Sequence, residues 1–310
     1  MAAPGGGDDH GGHAAAAALP PPAPKKIALV LKTLTNPFFI DIEKGARRAE
    51  QEFGVVLEVK TGSEETAVEQ QIQIVEGFIG AHVDALVIAP SDSQRLVPIL
   101  KKAQNAGIAI VNIDNRLDPD VMASEHMAAP PFISVDNVAA SYASVKLVAG
   151  RIKKPVQAGL IEGLPNAENA RSRLTGATRA FAENPNIHLV EQASAHWKID
   201  EARDVAQRMF ARHPDISVLY CANDMMAIGA IRYLQDSGRK GVTVIGYDAI
   251  DEARVAIKSG LMTVSVDQQA GQQGYQGVAL AVRALKGEKL PPVTLIEARL
   301  VTAATLAAPR

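Results

Sequence analysis

Polar side chains that could recognise a ligand recur along the chain, each directly after a short apolar run. They are Lys32, Asn36, Asp92, Asp114 to Arg116, Arg171, Asn223, Asp224, Asp248 and Asp267 to Gln269. Phe38, Phe39 and Trp197 add three aromatic rings at comparable places. Aromatic faces pack against the C–H faces of a sugar ring, amides and carboxylates bond its hydroxyls, and a guanidinium reaches two neighbouring oxygens. The set therefore predicts a neutral ligand with many hydroxyls, such as a sugar or a polyol.

Each of these residues also has a purely structural interpretation. An Asn or Asp that follows a strand is often the cap of the next helix. Phe39 could belong to the core, and Trp197 could be a surface or packing residue. The single cysteine, Cys221, lies in the apolar run SVLYC and is typical of a small buried hydrophobe. It is the coincidence of so many polar strand ends that favours a binding site.

Sequence signatures of catalysis and of cofactor binding are missing. No G-x-G-x-x-G follows the first apolar run, and neither a Walker A loop nor a G-x-S-x-G elbow occurs. No Ser, Cys or His stands at a strand end to form a nucleophile and base pair. One cysteine and scattered histidines argue against a metal site. We therefore expect a binding protein rather than an enzyme, with no cofactor and no metal.

The rhythm of the chain predicts the elements that position these residues. From Lys25 onward about ten β-rich runs alternate with amphipathic stretches, which is typical of repeated βαβ units with parallel sheets. At 310 residues, two units of about five strands fit better than one. The boundary is expected near Ser134. A helix is expected from Pro37 with Asn36 as its cap. Another is expected from about Gln272 to Leu285, followed by one strand, VTLIEARLVT.

Composition restricts the partners. The net charge is −2 with no block of Lys or Arg, so no nucleic acid is expected to bind. Residues 1–24 are mostly Gly, Ala and Pro, which predicts a disordered tail, and they lack the pattern of a signal peptide. No run of 18 apolar residues predicts a membrane span.

Several motifs in their order resemble the ribose-type, or type I, periplasmic sugar-binding proteins of ABC transporters. They are IALVLKTLTNPFF, IEKGARRAEQEFG, LVIAPSDS, AQNAGIAIVNID, FISVDN, HPDISVLYCANDMMAIGAIRYLQDSG and VIGYDA, and the resemblance runs from Lys25 to about Val301. It implies two doubly wound parallel-sheet α/β lobes joined by three hinge crossovers, with the ligand held between them by hinge closure. The first lobe would comprise residues 25–134 and 269–293, and the second 135–268 and 294–310.

The resemblance also implies a location and partners. The protein would be a periplasmic monomer that captures a small sugar or polyol and delivers it to the ABC permease. The alternative is the effector-binding domain of a LacI-type transcription regulator, which shares the fold. That protein would need a helix-turn-helix before Lys25, and residues 1–24 show none. A sugar-modifying enzyme is a third interpretation, and product formation would reveal it.

Site residues follow from the resemblance position by position. In the first lobe they are Lys32, Asn36, Phe38, Phe39, Asp114 and Asn115, and in the second Arg171, Trp197, Asn223, Asp248 and Gln268. Family members commonly have Asp-Arg where this chain has Asp114 and Asn115, so the second contact falls to Asn115 or to Arg116. Lys32 replaces a small polar residue and could point into the cleft or away from it. Asp248→Ala or Arg171→Ala is expected to weaken binding by about 2 kcal/mol or more.

Overall fold

Two six-stranded sheets divide the chain into two lobes in the computed structural model, which describes residues 1–2 and 23–308. Numbered in chain order, the strands of the first sheet are β1 (Lys26–Leu31), β2 (Val56–Thr61), β3 (Ala85–Ile88), β4 (Ala109–Ile113), β5 (Phe132–Ser134) and β11 (Val293–Leu295). Those of the second are β6 (Val156–Glu162), β7 (Ile187–Ser194), β8 (Ile216–Cys221), β9 (Thr243–Ile245), β10 (Val264–Asp267) and β12 (Arg299–Thr302). The strand orders are β11-β5-β4-β3-β1-β2 and β12-β10-β9-β8-β6-β7.

Helices cover the two sheets. The first lobe has α1 (Pro37–Phe53), α2 (Val68–Gly80), α3 (Val97–Asn105), α4 (Pro119–Ser124) and α10 (Ala270–Leu285). The second has α5 (Asn137–Ala149), α6 (Glu168–Ala182), α7 (Ile199–Arg212), α8 (Asp224–Asp236), α9 (Asp251–Lys258) and α11 (Ala303–Ala307). Strands that are covered on both faces should be apolar along their length, and β3 is buried at every position. The predicted pair of parallel-sheet lobes is confirmed.

Parallel pairing sends the carboxyl ends of the strands to one edge of each sheet. Neighbouring strands are parallel throughout, except that β12 runs antiparallel to β10. The chain passes between the lobes three times, at residues 135–136, 268–269 and 296–298. The three predicted crossovers are therefore present, and all lie beside the same end of the two sheets. Among the described residues, no helix combines the length and the apolar character that a membrane crossing requires.

Local predictions are met in part. Helix α1 begins at Pro37, and the Asn36 side chain accepts a hydrogen bond from the Phe38 N–H at 3.1 Å, as the cap prediction requires.

The run VTLIEARLVT is two strands in different sheets, β11 and β12, because the chain crosses between the lobes within it. The predicted change of lobe at 293/294 falls inside β11, all of which pairs with β5. The predicted tail, residues 1–24, lies outside the described residues except for 1–2 and 23–24.

Candidate functional site

A cavity lies where the carboxyl ends of the two sheets face each other. It is lined by Lys32, Asn36, Phe38, Phe39, Glu65, Asp114, Asn169, Arg173, Trp197, Asn223, Asp248 and Gln268. Every one of these side chains is buried. The cavity has an empty volume of about 220 Å³. The lobes are thus packed closely around the cavity, and a ligand of several heavy atoms can enter only when they move apart.

The first turn of α1 supplies an aromatic wall. Asn36 fixes the start of the helix, and Pro37 at its first position favours helical backbone geometry there. Phe38 and Phe39 then meet edge to face, with ring centroids 5.2 Å apart and planes at 76°. The Lys32 ammonium lies 5.6 Å from the centroid of the Phe39 ring, within the range of a cation–π contact. This side of the cavity therefore combines two apolar rings with the positive charge of Lys32.

A buried ion pair joins β1 to β4 at the cavity wall. Lys32 Nζ lies 3.1 Å from Asp114 Oδ2, and the two side chains are only 1% and 2% exposed. Asp114 has φ 61°, a left-handed conformation that Asp tolerates better than most residues. The Lys32 contact is not aligned as a hydrogen bond, so Oδ2 retains capacity to accept one. Lys32 therefore points into the cavity and is held there by a carboxylate.

Glu65 is a cavity residue that the sequence did not reveal. It lies in the loop after β2, and its Oε1 accepts a hydrogen bond from Asn36 Nδ2 at 2.9 Å. Burial raises the pKa of the Glu65 carboxyl above its ordinary value, although the Lys32 charge and the Asn36 amide act in the opposite direction. Asn36 thus caps α1 through its oxygen and anchors Glu65 through its nitrogen.

Arg173 on α6 organises the second lobe. Its Nε donates to Asn137 Oδ1 at 2.8 Å, and its Nη1 donates to the Ala222 carbonyl at 2.9 Å. Its guanidinium stacks 3.8 Å from the Tyr247 ring centroid and lies 3.6 Å from Asp248 Oδ1. Burial raises the pKa of Asp248 well above its ordinary value, against the effect of the Arg173 charge. These contacts hold the Arg173 guanidinium in one orientation at the cavity wall.

Trp197 forms the aromatic wall of the second lobe. His196 and Trp197 both have left-handed backbone conformations, with φ of 48° and 69°, which turns the indole toward the cavity. The ring packs over Gly163, where a Cβ atom would lie only 2.1 Å from it. The Arg173 guanidinium lies 5.5 Å from the ring. Two aromatic walls, one from each lobe, therefore line the cavity.

Four buried polar atoms in the cavity wall have no hydrogen-bond partner in the described part of the chain. They are Asp114 Oδ2, Asn169 Oδ1, Trp197 Nε1 and Gln268 Oε1. Buried polar groups in native proteins are nearly always bonded, so such a cluster requires an explanation. Three of the atoms accept and one donates, and they come from both lobes. A ligand with several hydroxyls could satisfy all four.

Nine of the eleven predicted site residues line the cavity. Arg171 does not: it is exposed, and its Nη1 donates to the Pro165 carbonyl. Arg173, two residues farther along α6, takes the expected place, because residues two apart lie on nearly opposite faces of a helix. Of the two arginines, the structure therefore places Arg173, and not Arg171, in the cavity wall.

The question of the second contact after Asp114 also receives a structural answer. Asn115 is fully buried, but its Nδ2 donates to the Pro90 carbonyl and its Oδ1 accepts from the Asn169 N–H, so it supports the wall without lining it. Arg116 is exposed and lies over the Phe132 ring. Neither residue reaches the cavity, and Asn169 occupies that side of it.

The sequence contains a pattern that could have predicted Asn169 and Arg173 as cavity residues. They stand four apart in NARSR at the start of a helix, which places both on one face. Glu65 had none, because nothing in GSEET shows which glutamate turns inward. No group of three His, Cys, Asp or Glu side chains suited to a metal ion occurs within the described ranges.

Comparison with known proteins identifies the family. Residues 27–289 match the family described as periplasmic binding protein domain. The D-ribose/D-allose-binding protein of Pseudomonas aeruginosa is 38% identical over 266 residues, 85% of this chain and 83% of the relative. The D-allose-binding periplasmic protein of Escherichia coli is 32% identical over 288 residues, 90% of this chain and 93% of the relative.

Solved structures agree with this assignment. A crystal structure of an ABC transporter periplasmic solute-binding protein from Actinobacillus succinogenes, with bound D-allose, is similar with a TM-score of 0.85 and 33% identity. The similarity covers 91% of this chain and 98% of that one. A solute-binding protein from Burkholderia multivorans gives a TM-score of 0.86 at 36% identity, covering 91% and 100%. The chain belongs to the periplasmic binding protein family.

Proposed function

We propose that this chain is the solute-binding protein of an ABC importer and captures one small sugar or polyol between its lobes. The names of its relatives support transport over the alternative of a regulator's effector domain. They also support a periplasmic location, delivery of the ligand to a membrane permease, and binding without catalysis. A monomer is sufficient for this function, since both walls of the cavity come from one chain.

The observation that carries the proposal is the set of buried polar atoms without a hydrogen bond around a small cavity. Asp114, Asn169 and Gln268 each offer an acceptor, and Trp197 offers an indole N–H. A sugar hydroxyl both donates and accepts, so a ring with four or five hydroxyls can meet three acceptors and one donor at once. The phenylalanines and the indole would cover the C–H faces of the ring.

Charge in the cavity favours a neutral ligand. Two cations, Lys32 and Arg173, face three carboxyls, those of Glu65, Asp114 and Asp248. Lys32 is paired with Asp114, and Arg173 lies beside Asp248, so no unpaired positive charge is available for an anion. Lys32 would donate to a hydroxyl of the ligand rather than to a carboxylate or phosphate. We propose a neutral aldose such as D-allose or D-ribose.

Hinge closure would provide both capture and signal. A ligand that contacts both lobes binds the closed form more tightly and shifts the population toward it. The permease would then respond to the closed form. The three crossovers, at residues 135–136, 268–269 and 296–298, are the segments that would absorb the change.

A thermal-shift screen followed by titration calorimetry tests the proposal. Pentoses, hexoses, polyols and sugar acids are compared at equal concentration, since a ligand at 100 times its Kd adds about 2.7 kcal/mol to the free energy of unfolding. We expect a large rise in melting temperature with one or a few neutral aldoses, one-site calorimetry, and no rise with sugar acids. A response to sugar acids alone would contradict the proposed pairing of Lys32, and no response to any sugar or polyol would refute the function.

A further inference from the structure

Strand order places two loops at the end of the cleft farthest from the hinge. The crossovers leave and enter beside β5, β10, β11 and β12, whereas β2 and β7 are the opposite edges of their sheets. The loops that follow β2 and β7 comprise residues 62–67 and 195–198. When two lobes rotate about a hinge, the points farthest from it separate most. A contact between these loops is therefore lost completely when the lobes open.

An ion pair connects the two loops across the cleft. Lys198 Nζ of the second lobe lies 2.8 Å from Glu64 Oε2 of the first. It is the only ion pair that joins the lobes within the described residues. The pair lowers the pKa of Glu64 and raises that of Lys198, each mainly through their mutual hydrogen bond.

The neighbours of this pair in sequence line the ligand cavity. Glu65 follows Glu64, and Trp197 precedes Lys198, and both of these neighbours are buried in the cavity wall. Glu64 and Lys198 are not cavity residues; they line an adjoining outer chamber, to which Glu65 and Trp197 also contribute. Each loop therefore contributes one residue to the cavity wall, Glu65 or Trp197. The adjacent residue of each loop, Glu64 or Lys198, forms the ion pair outside the cavity. We call the Glu64–Lys198 ion pair the clasp.

We propose that Glu64 and Lys198 raise ligand affinity as positioning residues: their ion pair stabilises the closed lobes and slows release of a sugar that neither residue touches. This inference rests on the proposed function, because affinity gains from closure only if the ligand is held between the lobes. An interaction present only in the closed form adds its whole net free energy to closure.

Two observations limit the size of the effect. The Glu64 and Lys198 side chains are 50% and 36% exposed, and exposed pairs contribute little because water and salt screen them. Lys198 Nζ also lies 3.5 Å from Glu201 Oε1 within the second lobe, so it keeps a partner when the lobes open. We therefore expect roughly a threefold change in Kd, in line with measured exposed pairs.

The effect of salt on affinity can distinguish the Glu64–Lys198 ion pair from the hydrogen bonds that also join the lobes. On the side of the cleft formed by residues 91–95 and 164–168, hydrogen bonds join the lobes, including Asn166 Nδ2 to Asp92 Oδ2 and the Glu168 N–H to Ser93 Oγ. Asp118 and Arg171 carry opposite charges there, but they are too far apart to form an ion pair among the described residues. Screening by about 1 M salt shortens the range of charge interactions to roughly 3 Å and weakens an exposed pair most. The clasp should therefore contribute a salt-dependent part to the free energy of closure.

The test is a double-mutant cycle with Glu64→Gln, Lys198→Met and the double variant. Kd, association and dissociation rates are measured with D-allose at about 20 mM and about 1 M salt. A matched cycle uses Glu76 and Lys102, an ion pair of similar exposure that lies wholly within the first lobe. We expect each clasp variant to raise Kd and the dissociation rate about threefold at low salt, the double variant to add little, and the effect to vanish at high salt. The Glu76 and Lys102 variants should leave Kd unchanged.

Additive effects in the clasp cycle, or the same coupling in the control cycle, would overturn the inference. Failure of the proposed function would look different, since the unmodified chain itself would bind no sugar. In that case the clasp is tested without ligand. The measured quantity is the distance between spin labels at Lys60 on β2 and Gln192 on β7, which are both exposed. Glu64→Gln should lengthen the mean distance at low salt and not at high salt, and an unchanged distance at both would overturn the inference.

Discussion

Replacing Arg173 with glutamine removes a guanidinium that is only 3% exposed and is fixed by the Asn137 and Ala222 oxygens and the face of Tyr247. If it bonds the ligand, the loss of that charge-assisted bond costs about 2 kcal/mol of binding free energy. Since 1.4 kcal/mol is a factor of ten, Kd should rise about 30-fold.

Stability changes as well, and its pH dependence identifies the cause. The variant leaves the buried Asp248 without its neighbouring cation, a change that costs roughly 3–5 kcal/mol when the carboxyl stays charged. Burial raises the pKa of Asp248, so the carboxyl can accept a proton instead and the cost falls in acid. Urea unfolding should therefore show a larger loss of unfolding free energy at pH 8 than at pH 5.

Arg171→Gln is the matched control, because Arg171 lies two residues away on α6 and is exposed. It should change Kd less than twofold and the free energy of unfolding by no more than about 0.5 kcal/mol. Calorimetry with the sugar found in the screen provides the comparison. If Arg171→Gln weakened binding and Arg173→Gln did not, the reasoning about the cavity would be refuted.

Three further changes test separate parts of the site. Lys32→Met leaves Asp114 buried and unpaired, so it should raise Kd at least tenfold and lower the free energy of unfolding by about 3 kcal/mol; unchanged calorimetry would contradict this. Gly163→Ala places a methyl group in the space of the Trp197 ring and should weaken sugar binding, with a changed indole fluorescence spectrum as the check. Burial raises the pKa of Asp224 to about 7, so the folded state holds more protons than the unfolded one between about pH 4 and pH 7. The free energy of unfolding should fall as pH rises through that range, and Asp224→Asn should flatten the slope in urea titrations.

Strand ends were the informative part of the sequence. A parallel sheet brings the carboxyl ends of its strands together, so the sequence could place five residues at the carboxyl edges of the two sheets. They are Lys32, Asn36 and Asp114 in the first lobe and Asn223 and Asp248 in the second. That rule depends only on the order of strands and helices, which the apolar runs reveal. It says nothing about which way a side chain points, and the direction of Lys32 needed the position of Asp114 in space.

Helix register and loop folding were beyond the sequence. Arg171 and Arg173 differ by two positions, and only the point where α6 begins decides which of them faces inward. Glu64 and Glu65 are chemically identical neighbours, and their opposite directions follow from Lys198 and Asn36, which are remote in sequence. The run VTLIEARLVT was misread as one strand because both of its halves have strand character and nothing marks the crossing at 296–298.

Small-angle X-ray scattering with and without the sugar found in the screen tests the central claim most directly. The claim is that one sugar is held between the lobes by their closure. We predict that saturating sugar lowers the radius of gyration and that the saturated curve fits the closed arrangement of the two lobes. A scattering curve that stays the same while calorimetry shows full binding would contradict capture by closure.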